Sequence, residues 1–84
     1  MILAMAAVLS QDKSQAEKTV FELTQKLRAA PTAELWHARA AARIEMEDPV
    51  GALADISEAV RLAPFEAGYR LVRARLTAGQ GRWQ

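Results

Sequence analysis

Cysteine is missing from this chain, which excludes disulfide staples and thiolate metal centres and removes redox chemistry as a guide to compartment. Histidine occurs once, as His37, so a histidine-based catalytic site has to be built around that single ring. Neither sign of charge is in excess: eleven lysines and arginines stand against ten aspartates and glutamates, a net charge of +1. That balance points away from a nucleic-acid footprint and from a membrane-surface patch. Long apolar runs are also lacking. The longest, residues 1–10, is far too short to span a bilayer and is about the length of a signal-peptide core, yet it has no basic flank. Cytoplasmic location is therefore favoured, with an exported protein as the alternative if residues 1–10 are the remnant of a signal. Strand formers never occur in runs, and alanine supplies much of the 51% hydrophobic content, so the chain reads as all-α.

Three prolines and a few capping residues punctuate the 84 residues, which are enough for one small domain with little core to spare. Residues 1–10 form a first apolar helix. Ser14-x-x-Glu17 is a capping box that opens a second helix running to about Ala29, before Pro31. Its apolar stripe is Ala16, Val20, Leu23 and Leu27, and Lys18, Glu22 and Lys26 make the solvated face. Thr32 is placed to cap a third helix that lasts to about Glu47. Asp48-Pro49 supplies an N-cap and a first-turn proline for a fourth, whose wide apolar face is Ala52, Leu53, Ile56, Ala59, Val60 and Ala63. Pro64 closes that helix. A fifth, from Glu66 to Ala78, repeats the opening of the third: Arg73-Ala74 follows Arg39-Ala40 by 34 residues.

Residues 33–66 are themselves 34 residues long, and Trp36, Ala40, Ala52, Ile56, Ala59 and Pro64 recur at a fixed set of spacings within them. This stretch resembles the tetratricopeptide repeat family, in particular bacterial repeats with an Arg-Ala pair in the first helix and an Ala-Leu-Ala-Asp run, here residues 52–55, in the second. The resemblance implies helix-turn-helix repeats stacked as a short right-handed α-α superhelix of about five helices. Residues 1–84 then make a single domain, with a first repeat in 1–30, a complete central repeat in 33–66 and a truncated third in 67–84. Ala40, Ala52, Ala59 and Ala74 are small where helix backbones approach, and Trp36 and Ile56 fill the space around them.

The family's role implies a non-catalytic adaptor or scaffold that binds a protein or peptide in a concave groove. Carried onto this chain, the groove-facing residues are His37, Ala41 and Ile44 from the central repeat and Leu71, Arg75 and Ala78 from the last. These are mostly apolar and cannot supply the lysine and asparagine clamp of the chaperone-binding members. Arg39 and Arg43 stand where the family more often has leucine and tyrosine, and Arg39 or Arg73 is expected to pair with Asp55. The rival reading is a structural module that self-associates, or docks within a longer repeat array, through an open C-terminal end around Leu71, Leu76 and Trp83.

Nothing in the sequence arranges a nucleophile, a base and an orienting group, so no enzyme activity is expected. Glu45, Glu47 and Asp48 crowd one turn but offer too few oxygens for calcium, and neither a metal nor another cofactor is implied. Arg70, Arg73 and Arg75 are spread around their helix as an ordinary charged surface, with Arg75 placed to meet an acidic group of a bound peptide.

Overall fold

A computed structural model describes the backbone of residues 2–81 and the side chains of residues 13–79. It is all-α: α1 (Ile2–Ala29), α2 (Ala33–Glu45), α3 (Pro49–Leu62) and α4 (Ala67–Gly81) follow one another along the chain. Each helix packs on the next, and the α2–α3 hairpin is the most intimate pair.

Four helices stand where five were expected, because the first two are one. Ser14 lies inside α1 and opens nothing. The segment Ser-Gln-Asp-Lys-Ser over 10–14 contains neither glycine nor proline, so no residue forces the helix to break and its i→i−4 hydrogen bonds continue past the capping box. The stripe itself is as expected: Ala16 and Leu27 are buried, Val20 and Leu23 partly so, while Lys18, Glu22 and Lys26 are exposed. Ala4 and Trp83 have their side chains outside the described residues.

The other boundaries follow from their caps. Thr32, in extended backbone, accepts the Leu35 N–H at 3.2 Å and starts α2. Asp48 accepts the Gly51 N–H at 3.0 Å, and Pro49 occupies the first turn of α3 where its missing N–H costs nothing. Between them α2 ends at Glu45, slightly before the expected Glu47. The Glu47 N–H donates to Ile44 O and the Asp48 N–H to Arg43 O, both at 2.9 Å, which is the Schellman pattern. It places Glu47 in the left-handed region, φ 60°, a position that glycine usually takes. Asp48 thus closes one helix and caps the next, which makes the turn as short as it is. Gly51 has no room for a side chain there: a Cβ would run into the Asp48 carboxylate and lie 3.0 Å from Cδ of Arg43.

The core is built from small residues. Ala40 of α2 and Ala52, Ile56 and Ala59 of α3 are fully buried, with Ala33 beside them, so the two backbones can approach closely. Trp36 and Leu53 lie against this cluster from the same hairpin, and Tyr69, Val72 and Leu76 bring α4 onto it. The principal extents are 45 × 37 × 19 Å, and 19 Å leaves room for no more than two helix layers.

Candidate functional site

At 3.6 residues per turn α2 divides into three faces. Leu35, Ala38 and Ala42 form the one left to meet α1, and Ala42 is buried there. Trp36, Arg39, Ala40 and Arg43 form the face against α3. His37, Ala41 and Ile44 form the third, which no helix covers.

The α3-facing side holds an ionic cluster. Asp55 is 1% exposed and accepts two bonds from Arg39, from Nη2 to Oδ1 at 2.8 Å and from Nε to Oδ2 at 2.9 Å. Arg43 Nη1 adds a third to Oδ2 at 3.1 Å. The remaining Arg39 Nη1 donates to Thr24 Oγ1 at 3.0 Å, and that hydroxyl donates to the Val20 carbonyl at 2.7 Å. One carboxylate therefore ties α2 to α3, and the arginine that grips it reaches α1. Its bidentate geometry and short bonds are those of a strong charge-assisted pair. The hydrogen bond from Asp55 raises the already high guanidinium pKa of Arg39 further. The same guanidinium lies 5.0 Å over the Trp36 ring, a cation–π contact on its other face. Arg39, and not Arg73, is thus the partner of Asp55, and Arg43 joins it because one turn of helix puts both on the same face. The cluster is structural: every charged group in it is engaged, and Asp55 is closed to solvent.

The uncovered stripe is different in character. His37 is half-buried, its ring 5.0 Å from that of Tyr69 at a 36° tilt, and this contact links α2 to α4. Ala41 is exposed and Ile44 is 44% exposed. On α4, Leu71 is 52% exposed, and Arg75 and Ala78 are exposed along the same stripe. α1 therefore does not lie over these residues, the arrangement under which a ligand-binding face would have been lost. Tyr69 was not singled out from the sequence, although its place 34 residues after Leu35 marks it as a residue that faces the preceding helix. Partial burial pushes its phenol pKa up, and the Glu34 and Glu66 carboxylates nearby push it further.

Of the repeat-signature residues, Ala40, Ala52, Ile56 and Ala59 are buried, Trp36 is half-buried, and Pro64 lies exposed in the turn after α3. Ala74 differs: it is exposed on α4 with no helix against it among the described residues. Leu76, expected at the open end, is instead partly buried on the core. In the α2–α3 turn, the Glu47 carboxylate accepts from Lys13 Nζ at 2.8 Å, and Asp48 is occupied as a cap. Among the described residues, no three histidine, aspartate or glutamate side chains could jointly hold a metal ion, and no helix is long and apolar enough to cross a membrane. No family model, no curated protein and no solved structure matches this chain.

Proposed function

We propose that the chain is a tetratricopeptide-type helical repeat module whose α2 and α4 stripe binds a protein or peptide segment and carries no chemistry of its own. The observation that carries this reading is the exposure of Ile44 and Leu71, two large apolar side chains on the stripes expected to face a ligand, in a molecule too thin to cover them. Arg75 and Ala78 continue the α4 stripe, so a fitting ligand offers apolar side chains and a carboxylate for Arg75. The 34-residue offset between the Arg-Ala pairs and the alanine-lined α2–α3 crossing agree with a repeat of this type.

The test is selection of a displayed random-peptide library on the 84-residue chain, with the Ile44→Glu/Leu71→Glu double variant as the counter-target. Selected peptides should shift the amide resonances of Ala41, Ile44, Leu71, Arg75 and Ala78 and lose binding to the double variant. Peptides that bind both proteins alike, or that shift only other residues, would sink the proposal. Self-association is the second reading, favoured by the same exposure of Leu71 at the C-terminal end of the fold.

A further inference from the structure

The three faces of α2 have counterparts on α4, residue for residue, 34 positions later. Tyr69, Val72 and Leu76 correspond to Leu35, Ala38 and Ala42 and pack back on the preceding helix, as those do. Leu71, Arg75 and Ala78 correspond to His37, Ala41 and Ile44. The last set, Arg70, Arg73, Ala74 and Thr77, corresponds to Trp36, Arg39, Ala40 and Arg43, and here the two helices part. Ala40 is 0% exposed and the Arg39 side chain 13%, because α3 covers them and brings Asp55. Arg70, Arg73, Ala74 and Thr77 are all exposed, and neither Arg70 nor Arg73 makes an ion pair among the described residues.

We infer that this second face of α4 is a docking site for a helix of α3 chemistry supplied by a separate polypeptide: an amphipathic helix carrying one aspartate among small apolar residues. The occupant is specified by what the equivalent face of α2 holds. Ala74, like Ala40, leaves space for close backbone approach, and Arg73, like Arg39, offers a planar fork for a carboxylate. Arg70, where α2 has Trp36, adds a second positive charge, so charge complementarity calls for an acidic group at this point on the partner. A hydroxyl at Thr77 replaces the Arg43 guanidinium, so Arg73 is left to make the bidentate contact. This face lies on the opposite side of α4 from the Leu71, Arg75 and Ala78 stripe, and it stands whether or not that stripe holds a peptide.

The probe is a fluorescein-labelled peptide of residues 48–63 with Ala54→Lys, closed by a lactam between positions 54 and 58 so that so short a segment stays helical. It is titrated into the intact 84-residue chain. Saturable binding is expected, weakened about tenfold or more by Arg73→Ala in the chain or by Asp55→Asn in the peptide, as loss of a charged hydrogen-bonding partner implies. Ile44→Glu in the chain should leave it unchanged, which separates this face from the groove stripe. Binding insensitive to Arg73→Ala and to the peptide's Asp55→Asn would mean that the probe is only exchanging with the chain's own α3, and overturns the inference. Absence of saturation up to about 1 mM, an affinity below about 4 kcal/mol, overturns it as well. So does a concentration-dependent dimer of the chain alone that Arg73→Ala abolishes, since the occupant would then be a second copy.

Discussion

Asp55 decides more than any other single residue. It is buried, it receives three hydrogen bonds from two arginines, and through Arg39 it reaches Thr24 on a third helix. Removing one member of a buried charge cluster leaves the others without a counter-charge, at a cost of about 3 to 5 kcal/mol. Asp55→Asn is therefore expected to lower the urea midpoint of the chain drastically. Arg43→Met, which leaves the bidentate Arg39 pair intact, should cost much less. Equal losses from the two variants would show that the second arginine is as essential as the first. Tyr69 gives a pH signature. Partial burial first, then Glu34 and Glu66, favour the neutral phenol, so its folded-state pKa is raised above 10.0. The associated stability is fully present below pH 10.0 and declines as pH rises through the raised value. As the chain has one tyrosine, phenolate absorbance reads it directly. The midpoint should lie above 10.0 and fall in Glu34→Gln and Glu66→Gln. A folded-state midpoint at or below the value in urea would contradict the packing of Tyr69.

Among the elements, the α2–α3 hairpin carries two sharply different expectations. Its turn keeps a glutamate where the backbone is left-handed, φ 60°. Glu47→Gly relieves that strain and loses only an exposed pair with Lys13, so it should stabilise by about 1 kcal/mol and raise the melting midpoint by about 4 to 8 °C. A fall in midpoint would mean that the Lys13 pair outweighs the backbone term. The hairpin's crossing, by contrast, has no room to give. Ala52→Leu inserts a side chain between two backbones held together by Ala40 and Ala59, at about 1 to 3 kcal/mol or more. Ala74→Leu, on the uncovered face of α4, should change stability by no more than about 0.5 kcal/mol. If both substitutions cost the same, Ala74 is covered in solution and the two faces of α4 have to be reassigned.

For the whole molecule, thinness sets the terms. Two helix layers bury little, and folded stability of so short a chain is a small difference between large terms. A circular-dichroism melt at two concentrations tenfold apart should be cooperative, with one midpoint. A midpoint that rises with concentration would assign the exposed Leu71 end to contact between copies. Adding the lactam-bridged peptide should raise the midpoint in proportion to the logarithm of its concentration once the face is filled.

Several features of this architecture are fixed by local chemistry and so are legible along the chain. Thr32, Asp48 and Pro49 set helix starts because their caps involve only the next turn, and the 3.6-residue spacing of Ala16, Val20, Leu23 and Leu27 sets the buried side of α1. The all-α class and the alanines at 40, 52 and 59 follow in the same way, as does an arginine–Asp55 pair. What the chain alone left open depends on competition between distant groups. The capping box at Ser14 is as good locally as any other, and it loses because nothing interrupts α1 on either side of it. Arg39 and Arg73 are equivalent by spacing, and only the packing of α3 onto α2 decides which one meets Asp55. Ala40 and Ala74 are likewise the same residue in the same register, one fully buried and the other exposed. Burial belongs to the pair of surfaces that meet, and a residue's own sequence context specifies only one of them.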